Sequence, residues 1–268
     1  MILGAIILAL SLALVLAMQG RKGHPKLHEF YGWAYAHRGL HGEGVPENSM
    51  EAFRLAKEKG FGAELDVHLL ADGSLAVIHD SILKRTTGLD GVVEDLTQDQ
   101  LIDCYLEGTQ QTVPLLADVL MLFDGQAPLI IELKSQVDNY AQLCEKTCQL
   151  LDGYTGLYCL ESFDPRCIIW LKKHRQDIIR GQLAENYFKT ENCKVPFILK
   201  CLLANHLMNF LSKPDFIAYR YSDRKRMVNR ICRKLWGLTG VTWTVKSKRV
   251  FDAVKEEGWI PIFEGFEP

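Results

Sequence analysis

Apolar and polar positions along the chain fall into distinct rhythms. The first residues, Ile2 to Met18, are an almost unbroken apolar run. After a polar gap, Trp33-Ala34-Tyr35-Ala36-His37 is short, apolar and aromatic and stops at Gly39. It reads as a buried strand that delivers His37 and Arg38 to its C-terminal end. Asn48 and Ser49 then offer an N-cap, and Ala52, Phe53, Leu55 and Ala56 recur at helical spacing until Lys59-Gly60 closes the helix. In Gly62-Ala63-Glu64-Leu65-Asp66-Val67-His68 the pattern changes to alternation, with Glu64, Asp66 and His68 on one face and Leu65 and Val67 on the other.

Asp72-Gly73 is a hairpin signal. A two-residue turn centred there pairs Leu70 with Leu75, His68 with Val77 and Asp66 with His79. The connection is too short for a parallel crossover, which needs roughly a dozen residues, so the His79 strand returns antiparallel as a flap outside any barrel. Residues 80–112 interrupt the rhythm with Gly88, Gly91 and Gly108 and with Thr97-Gln98-Asp99-Gln100 opening an apolar-periodic stretch. They read as an insertion over one face of the fold, a usual place for specificity. Val113-Pro114-Leu115 opens a helix running to Phe123.

Regular alternation follows, with strand candidates at Leu129–Lys134, Leu157–Ser162, Ile178–Ala184, Phe216–Arg220, Val241–Val245 and Ile260–Gly265 separated by helical stretches. With the strands ending at His37 and Asp66, and the flap excluded, this gives eight parallel candidates, the count of a closed (β/α)₈ barrel. The expected organisation is an N-terminal segment over 1–20, a linker over 21–31 and a barrel over 32–268.

The apolar run has its charges, Arg21, Lys22, His24 and Lys26, only behind it, which suits an uncleaved transmembrane anchor better than a signal peptide. It falls slightly short of the ~20 residues that span a bilayer. The positive-inside rule then places the barrel in the cytoplasm, with an exported form as the alternative. The chain has 268 residues and a net charge of −2, so nothing points to nucleic acid. Its one basic cluster, Arg220 to Lys234, reads as the solvated face of an amphipathic helix. The eight cysteines, Cys193 among them, show no zinc-type spacing.

In a (β/α)₈ barrel the C-terminal strand ends converge, and His37, Glu64, Asp66 and Glu132 all fall there. Any one carboxylate alone is an ion-pair partner for Arg38, Lys134 or Arg85. Three together call for a divalent cation, and an all-oxygen set suits Mg²⁺ or Ca²⁺ rather than zinc. Arg38 follows His37 directly and Lys134 shares a strand face with Glu132, so both cations are placed to hold an anionic group of a substrate. His37 and His79 supply a general acid and a general base, since imidazole titrates near neutrality.

An ordered set of motifs resembles one family, the glycerophosphodiester phosphodiesterases. It comprises His37-Arg38-Gly39, Pro46-Glu47-Asn48-Ser49, Ala52-Phe53, Glu64-Leu65-Asp66-Val67, His79-Asp80, Arg85-Thr86-Thr87, Gly91 with Asp95-Leu96-Thr97, Ile131-Glu132-Leu133-Lys134, Ser162-Phe163 and Trp243-Thr244-Val245. The resemblance implies a TIM barrel and metal-dependent hydrolysis of a glycerophosphodiester to glycerol 3-phosphate and an alcohol. The glycerol hydroxyl would attack phosphorus to give a cyclic phosphate that water opens. It also implies that Phe163 and Trp243 form an aromatic wall against the glycerol. The chain departs from the family at its end, where Lys246 stands in place of a common Asn and Gly258 to Gly265 replaces the usual final motif. That leaves the substrate's alcohol open. The competing readings are a lysophospholipase D or phospholipase C-like lipid hydrolase, and a non-catalytic barrel that binds phospholipid head groups.

Overall fold

A computed structural model describes residues 1–136, 138–190 and 195–268. Nine strands form one sheet: β1 (Tyr35–His37), β2 (Gly62–Leu69), β3 (Leu75–Val77), β4 (Leu129–Leu133), β5 (Tyr158–Ser162), β6 (Arg180–Ala184), β7 (Phe216–Arg220), β8 (Thr239–Val245) and β9 (Trp259–Phe263). All but β3 pair in parallel, and β9 and β2 both pair with β1, which closes an eight-stranded barrel. Helices follow the strands and cover the outside, so the architecture is the expected (β/α)₈ TIM barrel.

The sequence periodicity explains the elements. The helix Met50–Glu58 begins where the Ser49 side chain accepts from the Ala52 N–H, and it ends before Gly60, whose φ of 70° suits glycine. Inward positions alternate along each strand, and Tyr35, Ile130, Cys159, Ile179, Phe216, Val241 and Ile260 fill the barrel interior. Gly181 makes room for Phe216, because a Cβ there would meet that ring at 2.1 Å. A second core, with Leu65, Val67, Ile131, Leu133, Leu143 and Leu160, packs between the barrel wall and the helices.

The hairpin register differs from expectation by one residue. Val67 pairs with Val77, His68 with Ala76 and Leu69 with Leu75. The turn is longer than two residues: the Gly73 N–H donates to the Leu70 carbonyl, Gly73 has φ of 86°, and the Leu70 N–H donates to the Ser74 carbonyl. This is a three-residue loop with a glycine bulge, stabilised by the Asp72 carboxylate accepting from the Ser74 and Gln98 N–H groups. The extra residue shifts the whole return strand. β3 remains outside the barrel on the overhanging end of β2, as a flap.

One further expectation is corrected, and another finds no support. The basic segment 220–234 is no continuous amphipathic helix: Arg220 ends β7, and a 3₁₀ turn, the short helix Met227–Arg230 and a π turn follow. Arg224 is buried against Glu257, and Arg233 lies over the Trp259 ring at 4.2 Å while donating to the Glu257 and Gly258 carbonyls. These cations stitch loops together instead of facing solvent.

The transmembrane anchor is not supported either. The N-terminal helix Ile2–Ala17 has 16 residues, about 24 Å at 1.5 Å per residue, and among the described residues no helix is long and apolar enough to cross a membrane. Arg21, expected as part of a free positive flank, is spent on the barrel: it pairs with Asp215 at 2.6 Å and donates to the Gln176 and Ile178 carbonyls. Met18 packs with Ile217, Cys232 and Leu238, and the Trp236 indole donates to the Val15 carbonyl. Residues 21–31 lie against the barrel, with Phe30 buried and stacked on Tyr35. Cys193 lies outside the described residues.

Candidate active site

Barrel register assembles the site. His37 and Glu64 are direct neighbours across β1 and β2, and Asp66 and Glu132 are direct neighbours across β2 and β4. One oxygen from each of Glu64, Asp66 and Glu132 lies within 4.8 Å of the others, and all three residues are buried. Burial and mutual repulsion push Glu64 well above the usual carboxylate range. Burial likewise raises Glu132 to about 7. Burial would raise Asp66 too, but Lys134, His79 and Arg38 outweigh it and hold Asp66 low.

This charge set fits a divalent cation. The donors are all carboxylate oxygens, and the buried Asp66 Oδ1 has no hydrogen-bond partner. Three buried carboxylates in one cluster would otherwise be held only by neighbouring cations. Lys134 Nζ lies 3.1 Å from Glu132 and 3.5 Å from Asp66, and Arg38 Nε lies 3.5 Å from Asp66. Those carboxylates raise the Lys134 ammonium above its ordinary value despite burial.

Arg38 is fixed from several sides. Its φ of 55°, uncommon for a residue other than glycine, turns its N–H onto Glu64 Oε2 at 3.1 Å. Its guanidinium donates to Glu47 at 2.8 Å, and Glu47 also accepts from Arg85 at 2.5 Å. Asn48, buried and at φ of 54°, donates to Asp66 at 2.9 Å. In sequence Asn48 reads only as a candidate N-cap; in the structure Glu47 and Asn48 hold the arginine and a carboxylate of the cluster. His68 Nδ1 donates to the Glu94 carboxylate (2.6 Å), and its Nε2 lies 3.2 Å from the His79 carbonyl, tying the flap to β2.

Each proposed proton-transfer histidine has its own carboxylate. His37 Nδ1 lies 2.5 Å from Glu264 Oε2, and His79 Nδ1 lies 2.6 Å from Asp80 Oδ1. An ionised carboxylate only accepts, so Nδ1 carries the proton and Nε2 is the free nitrogen of the neutral ring. His37 Nε2 is 3.9 Å from Glu64, at the edge of the carboxylate cluster. Burial lowers the pKa of both histidines; Glu264 works against that at His37, and Asp66 at His79. Glu264 itself is held far below the usual carboxylate range by His37, His41 and Lys246.

Sequence reasoning missed Glu264. Its signal was barrel closure: Ala36 pairs with Phe263, which puts the next residue of each strand side by side. It also missed Glu161, a fourth buried carboxylate opposite Glu132, pushed well above its ordinary pKa by burial and by Glu132. Phe163 and Trp243 meet edge to face with ring centroids 5.7 Å apart. Both line the same open cavity of about 1450 Å³ as His37, Arg38, Glu64, His79, Glu132 and Lys134. Asp66, buried beneath them, completes the set through Arg38 and Lys134.

The C-terminal face of the barrel gathers three carboxylates, two histidines and the two cationic side chains Arg38 and Lys134, and comparison with known proteins places the chain. Residues 37–263 match the glycerophosphoryl diester phosphodiesterase family, and the chain belongs to that family. A putative glycerophosphodiester phosphodiesterase of Bacillus subtilis is 41% identical over 223 residues, 80% of this chain and 86% of its own. A glycerophosphodiester phosphodiesterase of Bacillus altitudinis is 40% identical over 129 residues, 45% of this chain and 52% of its own. The chain thus spans about half the length of several curated relatives it matches. Among solved structures, an Oleispira antarctica phosphodiesterase in complex with sn-glycerol-3-phosphate shares the fold, with a TM-score of 0.70 and 22% identity over 88% of this chain and 94% of that one.

Proposed function

We propose that this protein hydrolyses glycerophosphodiesters to glycerol 3-phosphate and an alcohol, with a divalent cation as cofactor. The observation that carries the reading is the pair of carboxylate-held histidines, His37 and His79, in one cavity with the carboxylate cluster. Its membership of the family and the Bacillus relatives named as phosphodiesterases support it.

Magnesium or calcium held by Glu64, Asp66 and Glu132 would supply neutralising charge for the phosphate and its attacking oxygen. Arg38 and Lys134 bind the phosphate oxygens by charge-assisted hydrogen bonds, and Glu47 fixes the arginine's direction. One histidine accepts the proton of the attacking hydroxyl through Nε2, and the other, protonated, donates to the departing alcohol oxygen. Opening of the cyclic product by water reverses the two roles. The Phe163 and Trp243 rings form an apolar wall for the glycerol carbons.

Residues 80–112 choose the alcohol. Ser81, Ile82, Lys84 and Arg85 line the cavity, and none of the carboxylate cluster comes from this segment. Exchanging it for that of a relative should change the preferred alcohol more than the metal requirement. A non-catalytic head-group binder would keep the cations and have no use for two carboxylate-held histidines.

The test is release of glycerol 3-phosphate from glycerophosphocholine and glycerophosphoglycerol, with magnesium, with calcium and with excess chelator. Metal-dependent release is the expected result. Tight binding of the diesters with no product under any metal would overturn the reading in favour of a binder.

A further inference from the structure

The two nitrogens of His37 face two different groups of ligands. Nε2 lies 3.9 Å from Glu64 Oε2 in the carboxylate cluster, and Nδ1 lies 2.5 Å from Glu264 Oε2. On the Nδ1 side stands a second histidine, His41, whose Nε2 is 3.9 Å from the same Glu264 oxygen. One ligand atom from each of His37, His41 and Glu264 lies within 4.8 Å of the others. Among the described residues, the buried His41 Nε2 has no hydrogen-bond partner, since 3.9 Å is beyond hydrogen-bond reach.

The fold holds these three side chains together. The chain turns sharply after β1: Gly39 has φ of 77°, a Cβ there would meet Ala52 at 2.8 Å, and the Leu40 N–H donates to the Ala52 carbonyl. Gly42 and Val45 then bond to each other through both N–H and carbonyl, so a pinned loop presents His41 four residues after His37. Glu264 is fixed from the other side, its N–H donating to the Val245 carbonyl at the end of β8. It belongs to the final segment, Gly258 to Gly265, in which the chain departs from its family. The side chains of His37, His41 and Glu264 are 13%, 22% and 21% exposed, which leaves solvent a way in.

Donor chemistry separates this group from the carboxylate cluster. Two imidazole nitrogens and one carboxylate suit zinc(II) and its late transition-metal neighbours, whereas magnesium and calcium take oxygen ligands. Bonds of the usual length to a tetrahedral ion put ligand atoms about 3.4 Å apart. The His37–Glu264 contact therefore opens from 2.5 Å and the His41–Glu264 contact closes from 3.9 Å, each by less than about 1 Å. Lys246, on the other oxygen of Glu264, has a side chain 70% exposed and can swing away.

We infer that His37, His41 and Glu264 form an inhibitory site for a single zinc-class dication, while magnesium or calcium stays with Glu64, Asp66 and Glu132. In the active form Nδ1 of His37 carries the ring proton and Nε2 exchanges protons with the substrate. An ion bonding to the Nδ1 lone pair sends that proton to water, and Nε2 takes one up from water, so the ring stays neutral with its proton moved. Nε2 then has no lone pair with which to accept, and a dication on the ring opposes the imidazolium form. Either proton-transfer role of His37 is lost. Binding rests on the ligand geometry alone, and the inhibition rests on the phosphodiesterase reading above.

The test uses cobalt(II) as a probe on the magnesium-loaded protein. The expected result is the intense visible absorption of a four-coordinate ion, saturating at one ion per chain and displaced by zinc. His41→Gln and His41→Ala should weaken that binding by at least about tenfold, since losing even a group that only orients a ligand costs about 10–100-fold. No such band in the parent, or equal binding by the variants, would overturn the site. In the assay, zinc should inhibit release of glycerol 3-phosphate from glycerophosphocholine at saturating magnesium. Both His41 variants, in which His37 keeps its bond to Glu264, should retain the parent rate and resist zinc. Inhibition that excess magnesium reverses, or that persists unchanged in the variants, would put zinc on the carboxylate cluster and overturn the inference. If cobalt binds through His41 while no diester is hydrolysed under any metal, the phosphodiesterase reading fails and the ion site stands. If diesters are hydrolysed and no cobalt binds through His41, the ion site fails and the phosphodiesterase reading stands.

Discussion

His37 Nδ1 lies 2.5 Å from Glu264 Oε2, a hydrogen bond that joins the end of the first barrel strand to the residue following the last. The contact fixes the imidazole's tautomer and its direction, so Glu264 is a positioning residue for whichever proton-transfer role His37 plays. Lys246 pairs with the other oxygen of Glu264 at 2.8 Å. The chain's departures at Lys246 and at the final strand are therefore connected to each other through this carboxylate.

Glu264→Gln should lower kcat at least tenfold, up to the roughly 10²–10⁴ that a positioned acid or base contributes. Because Glu264 raises the His37 pKa against burial, its loss should also move the His37 limb of the pH–rate profile to lower pH. Lys246→Ala, which keeps the carboxylate, should change kcat far less. Metal content should stay that of the parent. Loss of metal in Glu264→Gln would instead assign the ion to His37, His41 and Glu264, whose ligand atoms also lie within 4.8 Å of one another.

The carboxylate cluster makes a second prediction. Replacing Glu64 or Asp66 by Ala should abolish turnover and calorimetric binding of magnesium and calcium together, while circular dichroism remains that of the parent. Full activity in excess chelator would remove the metal from the mechanism.

Much of this site was legible because a barrel converts sequence pattern into position. Alternation put Glu64 and Asp66 on one face of β2, and parallel register set them beside His37 and Glu132. What could not be read depended on contacts between distant segments or on one-residue geometry. The Asp72-Gly73 signal marked the turn, yet the glycine bulge shifted β3 by one residue. Lys and Arg spacing over 220–234 suggested a solvated helix, but pairing with Glu257 and stacking on Trp259 come from the junction between the last helix and β9, which local pattern does not reveal. Arg21 read as a free charge behind the apolar run because nothing nearby in sequence announces Asp215.

A buried histidine away from the site carries a prediction about stability. His206 is 1% exposed, with Nε2 2.8 Å from Asn229 Oδ1 and its ring 5.3 Å from that of Tyr219. Burial lowers its pKa to about 4, helped by Arg226 and opposed by the Asn229 hydrogen bond. Below the unfolded value of 6.5 the unfolded chain binds the proton that the folded one refuses, so the contribution is present above pH 6.5 and is lost as pH falls toward 4. The shift corresponds to roughly 3 kcal/mol over that window. His206→Asn suits the positive φ of 56° and cannot titrate. Urea unfolding at pH 7 and pH 4.5 should show a smaller pH dependence in the variant, and equal dependence would place the proton uptake elsewhere.

The last prediction separates the two histidines. Both have Nδ1 tied to a carboxylate, so their geometry alone gives each the same free nitrogen. Removing either by His37→Ala or His79→Ala should lower turnover of a natural diester by about two to four orders of magnitude with the fold and metal retained. The leaving group distinguishes them. An alcohol such as choline departs as a strongly basic oxyanion unless it is protonated, whereas para-nitrophenolate leaves without a proton. The variant lacking the general acid should therefore recover most of its rate on a para-nitrophenyl diester, while the variant lacking the general base should not, because its attacking hydroxyl still keeps its proton. His79 comes from the flap beside residues 80–112, the segment proposed to face the alcohol, so the recovery is expected in His79→Ala. Recovery in His37→Ala alone would exchange the two roles, and near-normal rates of both variants on the natural diester would remove the pair from the chemistry.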